Sequence, residues 1–264
     1  MRKSLSVILS LCLLIAMMAV AGCSKSDDSA SDLEYIKNKG NLVVGITDFE
    51  PMDYKDGEEW VGFDADMARA FAESLGVDVE FVEIDWDNKV MELDGKSIDC
   101  VWNGMTLTDE VTSAMSCSNA YANNAQVVIV RSDVANDYQT VEACKSLRFA
   151  VEAGSAGEKE ANAANFTFTP VKDQASALME VAAGTAGAAI IDSLMAAAMV
   201  GPETGYENLT YTVALNAEEY GVGFRKGSDA VTALNDFLVK AYNDGSLMKT
   251  AEKYKVQAAL IEQK

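Results

Sequence analysis

The feature that most constrains this chain is a switch of hydrophobic period, from two residues to about 3.6 and back, repeated along its length. Leu42-Val43-Val44-Gly45-Ile46 is an unbroken apolar run of strand length. Asp64 to Leu75 follows with Met67, Phe71 and Leu75 on one helical face and Gly76 closing it. Val77, Val79 and Phe81 alternate as a strand does. A short helix is expected over Asn88 to Asp94, then strands over Ile98 to Trp102 and Gln126 to Arg131. The pattern restarts near Leu147. It gives a strand to Val151, a tight turn at Gly154-Ser155-Ala156-Gly157, a helix over Gln174 to Ala183 and a buried strand over Ala188 to Ile191. Tyr220 to Phe224 forms a last strand, and Val231, Leu234, Leu238 and Tyr242 line a C-terminal helix. Strands alternating with helices predict mostly parallel sheets covered on both faces, hence the α/β class. In 264 residues the restart implies two lobes rather than one small sheet.

The first residues follow a different logic. Arg2 and Lys3 precede an almost wholly apolar run from Leu5 to Val20, which ends in Ala21-Gly22-Cys23. Charge, length and small-residue ending mark residues 1–22 as a secretory signal. Val20-Ala21-Gly22-Cys23 resembles a lipobox, whose cysteine is acylated (palmitate among the chains) and becomes the new N-terminus. Residues 23–40 are expected to form a lipidated polar tether, because Ser24 to Asp32 is too poor in apolar residues to pack. Cys12 leaves with the signal and Cys23 takes the lipid. Cys100, Cys117 and Cys144 remain, an odd number with no CxxC pair, which argues against a disulfide-stapled scaffold.

Composition removes several function classes. The chain has no histidine, which excludes Ser-His-Asp and Cys-His catalysis and His-based zinc sites. A formal charge of -20 argues for a soluble body that repels nucleic acid. No metal or cofactor is expected.

In parallel sheets ligands sit beyond the carboxyl ends of strands, so polar residues just after strands are the site candidates. Three segments qualify: Thr47 to Met52 with Phe49; Trp102 to Asp109 with Asn103, Gly104 and Thr106; and Ala153 to Gly157 with Ser155 and Ala156. Asp192 closes the strand over Ala188 to Ile191. Each has a structural alternative. Phe49 and Trp102 suit a core, Thr106 with Asp109 fits a capping box, and Ser155 or Asp192 can cap a helix.

Taken together and in order, these segments resemble the family 3 extracellular solute-binding proteins, the polar amino-acid receptors of ABC importers. The resemblance covers about Asn41 to Lys255. It rests on Leu42 to Met52, Val61-Gly62-Phe63-Asp64, Ile98 to Asp109, Tyr121 to Arg131, Leu147 to Gly157, Ala188 to Ser193 and Glu219 to Lys226. It implies a two-lobed periplasmic-binding-protein-like (type II) fold with two crossover strands at the hinge. Residues 41–128 and 222–264 would form lobe one, and 129–221 lobe two, closing on the ligand. Phe49 would cover the ligand, with Trp102 and Asn103 contributing from the neighbouring segment. Gly104 would offer a carbonyl to an α-ammonium, and Thr106 an amide and hydroxyl to a carboxylate. Amides at Ser155 and Ala156 would present a helix N-terminus to an anion, and Asp192 would pair with the ammonium. The implied protein is an extracytoplasmic monomer, not an enzyme. It would be held to the membrane by lipid and would deliver a polar amino acid or amine-like solute to a permease. A ligand sensor, or a dehydratase on the same fold, is the alternative. One departure stands out: the arginine that usually follows the motif's glycine by seven residues is Val111 here.

Overall fold

The computed structural model describes residues 31–264. The signal over 1–22, Cys23 and the tether up to residue 30 lie outside the described residues. From Asp32 the expected tether is corrected. Asp32–Lys39 is an α-helix with acidic residues in its first turn, basic residues in its last, and Ile36 fully buried. Ile36 docks it together with half-buried Leu33 and Tyr35, which pack against the same core.

The strands are β1 (Asn41–Ile46), β2 (Tyr54–Asp56), β3 (Glu59–Val61), β4 (Asp78–Glu83), β5 (Cys100–Thr106), β6 (Ser116–Cys117) and β7 (Ala122–Asn124). Then come β8 (Gln126–Arg131), β9 (Arg148–Glu152), β10 (Thr167–Val171), β11 (Ala188–Asp192), β12 (Leu209–Ala214) and β13 (Glu218–Phe224). They form two main sheets. The first runs β4-β1-β5-β13-β6 with β7 also on β13, and the second runs β10-β9-β11-β8-β12. Within each sheet the strands that belong to its own βαβ units are parallel. The strands that arrive from the other sheet, β13 in the first and β8 in the second, are antiparallel to their neighbours.

The chain changes sheets between Asn124 and Gln126 and returns between Ala214 and Glu218. These two connectors lie side by side, with Leu215 N donating to Gln126 O at 2.8 Å and Gln126 N to Asn216 Oδ1 at 2.7 Å. The lobe boundaries expected at 128/129 and 221/222 would each cut a continuous strand, so the divisions fall at these connectors instead.

The helices follow their apolar faces. Phe63–Leu75 buries Phe63, Met67 and Phe71 and ends at Gly76, whose positive φ of 74° lets its amide reach the carbonyls of Ala72 and Glu73. Gln174–Ala183 starts at Asp173, whose carboxylate accepts from Ser176 N at 2.7 Å, and buries Ala177, Leu178 and Val181.

A buried charge cluster closes the first lobe. Asp99, fully buried, accepts from Val43 N at 2.8 Å, Lys39 Nζ at 2.5 Å and Arg225 Nη2 at 3.1 Å. Arg225 also donates to Asp32 Oδ1 through Nε at 2.8 Å and Nη2 at 2.7 Å, and to Ile98 O at 2.7 Å. The first helix, β1, the entry to β5 and the exit of β13 therefore meet at one carboxylate. Asp99→Ala leaves Arg225 and the Val43 amide without this partner. It is expected to cost about 3–5 kcal/mol in urea unfolding, the scale for breaking a buried ion pair from one side. Glu34→Ala on an exposed pair should cost less than about 1 kcal/mol.

Candidate functional site

Between the two sheets lies a cleft of ≈ 450 Å³. The first lobe supplies Trp86, Lys89 and Val90, the end of β5 from Asn103 to Thr106, and Thr108, Val111 and Ala114. The second supplies Glu152 at the end of β9, the turn Gly154-Ser155-Ala156, and Gln174 and Asp192. Carboxyl ends of strands from both sheets thus face one cavity, as parallel topology requires.

Asp192 is 4% exposed, and both its oxygens are held. Tyr220 OH donates at 2.7 Å and Gln126 Nε2 at 2.9 Å, with further bonds from Asn124 Nδ2 and Gln174 Nε2; Asp192 N donates to Gln174 Oε1 at 2.8 Å. Two of these donors sit at the first connector and one on β13, so the residue is fixed by both lobes. Its carboxyl makes no capping bond to the helix Ser193–Met199. Burial first, and the neighbouring Glu218 carboxylate second, hold its pKa well above the usual carboxylate range.

Lys89 is 8% exposed and donates to Gly154 O across the cleft at 2.9 Å and to Trp86 O at 3.1 Å. Its Nζ also stands 4.8 Å from the Trp86 ring centroid. Burial lowers its pKa, opposed by Glu152, Asp87 and Glu158. Glu152, 3% exposed, has its pKa pushed well up by burial, then by Asp192 and Asp173.

The lobes touch at the cleft's edges. Gly154 has φ +69°, and a Cβ there would stand 2.7 Å from Asp87 Cα, so only glycine permits this approach. Lys159 pairs with Glu110 at 3.0 Å, and Lys172 pairs with Glu83.

Of the expected site residues, Asn103, Gly104, Thr106, Ser155, Ala156 and Asp192 line this cleft, while Phe49 and Trp102 do not. Phe49 is 2% exposed. A tight turn, with Phe49 N on Asp53 O at 2.7 Å and Met52 N on Phe49 O at 2.8 Å, tucks its ring under β5 and edge-on to Tyr220. It packs where Gly104, at φ +54°, lacks a side chain: a Cβ there would meet the ring at 2.3 Å. Trp102 is 1% exposed and faces Phe71 in the core, because strand alternation turns it from the face that carries Val101 and Met105.

The remaining residues have prior engagements. The Asn103 amide is tied to Thr47, accepting from its N at 3.0 Å and donating to its Oγ1 at 2.8 Å. The Thr106 hydroxyl donates to Glu218 Oε1 at 2.9 Å, and the cap of the next helix is Thr108, whose hydroxyl accepts from Val111 N at 3.2 Å. Ser155 Oγ caps its own helix, accepting from Glu158 N at 3.1 Å. Trp86, Lys89 and Glu152 were missed. The post-strand rule, applied to the strand that ends at Glu83 and to the last residue of β9, would have found all three.

Comparison with known proteins agrees with this geometry. The family model for bacterial extracellular solute-binding proteins, family 3, matches residues 42–257. The chain belongs to that family. Among its relatives, the arginine-binding extracellular protein ArtP of Bacillus subtilis is 26% identical over 96% of this chain and 98% of its own length. The L-cystine-binding protein TcyJ of Escherichia coli is 28% identical over 91% and 92%. Among solved structures, a mutant of ArgBP from T. maritima superposes with a TM-score of 0.79 at 30% identity, covering 84% of this chain and 98% of that one. Val111, the position at which an arginine was expected, is 7% exposed and lines the cleft.

The site rests on a second buried carboxylate. Asp64 is fully buried, accepting from Gly104 N at 2.6 Å and Tyr121 OH at 2.7 Å. Burial raises its pKa from 3.8 to about 7 despite these bonds, and fully buried Asp53 is shifted the same way. A folded-state pKa above the unfolded one stabilises the fold fully below the unfolded value; that stability is lost as pH rises through about 7. Asp64→Asn removes this loss. Its stability relative to wild type, from urea unfolding, should therefore rise between pH 4 and pH 8. A pH-independent difference would show that Asp64 binds its proton equally in the folded and unfolded chains.

Proposed function

We propose that the protein captures a polar amino acid in this cleft and delivers it to the permease of an ABC importer, from a lipid anchor at Cys23. The observation that carries the reading is the buried pair of opposite charges, Asp192 and Lys89, lining one cavity between the two lobes. A zwitterion leaving water needs a fixed partner for each end. Asp192 suits the α-ammonium. For the α-carboxylate, Lys89 stands in for the arginine that Val111 replaces: an ammonium has three donors, and two are on carbonyls. The helix Ala156–Ala163 opens toward the same cavity with its first-turn amides and positive dipole end.

The names of relatives support an amino-acid ligand, since they bind arginine or cystine. Binding rather than catalysis suits a site whose carboxylates are immobilised. Side-by-side connectors between the sheets suit hinge closure, with the Lys89–Gly154 bond and the Glu110–Lys159 pair forming as the lobes meet. The mature protein is proposed to be an extracytoplasmic monomer. Among the described residues no helix is long and apolar enough to cross a membrane, and acylation of Cys23 would supply the attachment.

A thermal-shift screen of the mature protein against amino acids and amines tests the reading, because a ligand raises the melting temperature by mass action. At least one α-amino acid should do so, and amines without a carboxylate should not. Asp192→Asn should weaken that ligand by about 1–3 kcal/mol in calorimetry, the scale of a charged hydrogen bond, with the fold retained. If no amino acid shifts the wild type at millimolar concentration, the reading fails. Separately, Cys23→Ser should release the protein from the membrane fraction. Full retention there would mean that an uncleaved helix holds it.

A further inference from the structure

Glu152 differs from the other charged groups of the cleft in having an oxygen with nothing to bind. Asp192 accepts from four side chains, three at Oδ1 and one at Oδ2. Glu152 lines the same cavity, is 3% exposed, and its Oε1 is buried without a hydrogen-bond partner. Such groups are rare in folded proteins because an unpaired acceptor in the interior costs free energy. Lys89 attracts it electrostatically but makes no hydrogen bond to it, with two of its three donors on the carbonyls of Trp86 and Gly154. The Gln174 side-chain nitrogen donates to Asp192 and also supports the Glu152 carboxyl, lowering its pKa against burial, but makes no bond to Oε1. A donor brought by the ligand would satisfy this oxygen.

Charge matching says what kind of donor. On the reading above, Lys89 answers the ligand's α-carboxylate and Asp192 its α-ammonium. One buried carboxyl, Glu152, is left over, and a ligand whose side chain is neutral leaves it unmatched. The rest of the wall fits an aliphatic stem with a polar tip. Val90, Val111 and Ala114 line the first-lobe side together with the Trp86 ring, which also favours a cation over its face. Valine at position 111 thus supplies apolar surface where an arginine would place a competing positive charge.

We propose that Glu152 is the specificity-determining residue of the cleft, and that the ligand is a dibasic amino acid whose side chain ends in a guanidinium or ammonium group. This rests on the amino-acid reading of the previous subsection. A guanidinium presents two parallel N–H donors to a carboxylate, and an ammonium presents up to three.

The test compares cationic ligands with neutral isosteres. Ligand-free mature protein is titrated calorimetrically with L-arginine and L-citrulline, and with L-lysine and L-norleucine. Wild type should prefer the cationic member of at least one pair by roughly 10- to 100-fold, as expected of a charged hydrogen bond in a dry site. In Glu152→Gln the preference should fall to within about threefold, with the neutral member still binding, which also shows that the variant folds. A wild-type preference near unity overturns the proposal without any variant, and so does an undiminished preference in Glu152→Gln. In both of those cases amino acids bind, so the reading of the site as an amino-acid cleft survives. If none of the twenty standard amino acids binds wild type, that reading falls and this proposal with it.

Discussion

Asp192 is a carboxylate taken out of water and rebuilt into a socket of side-chain donors, and the molecule is arranged around that socket. Its donors come from the first connector (Asn124 and Gln126), from the helix beside it (Gln174) and from the returning strand (Tyr220). No single lobe can complete the set. Holding it in place requires the two connectors to lie together, which fixes where the sheets separate and where the cleft can open. The carboxyl remains unfavourably placed even so, since burial and Glu218 keep its pKa high. A cationic group entering the cavity relieves that situation directly, so the same interaction that orders the hinge creates an appetite for a ligand.

A second device supports the first. Gly104 has a backbone conformation and a lack of side chain that let Phe49 pack beneath it, while Asp64 holds its amide from below. The aromatic expected to cover the ligand is instead the floor on which the end of β5 rests. Trp86, on the neighbouring post-strand segment, occupies the wall of the cleft. Val111, where the resemblance led to the expectation of an arginine, lines the same cavity as the buried Lys89. A point charge tied to two carbonyls is not equivalent to a bidentate guanidinium, but it places a buried positive charge in a cavity whose other lysine, Lys159, is paired with Glu110. It also adds a contact between lobes, through Gly154.

The elements most legible in the sequence were those with strong apolar periodicity. Gln126–Arg131 and Gln174–Ala183 were read to the residue, and β1, β9, β11 and the helix Phe63–Leu75 to within a residue or so. The β2–β3 hairpin, β10 and β12 were not read. Their side chains are largely exposed or half-buried, so they lack the apolar alternation that betrays a strand. The helix Asp32–Lys39 was read as tether because it carries few apolar residues. It is held by Ile36 and by the Asp32–Arg225 pair, whose partners lie 193 positions apart.

The sequence by itself determined the fold class, the two-lobed plan and some of the cleft's segments, the end of β5, the turn after β9 and the end of β11. Those follow from local period and strand order, which are properties of neighbours along the chain. Which residue of each segment enters the cleft was decided only by tertiary structure. Phe49 and Trp102 turned into the core because a glycine and a facing phenylalanine left room for them there. Lys89 and Glu152 turned into the cleft because the segments that carry them, far apart in sequence, face each other across it. Side-chain direction and burial depend on what packs opposite, and no stretch of sequence contains its own opposite face.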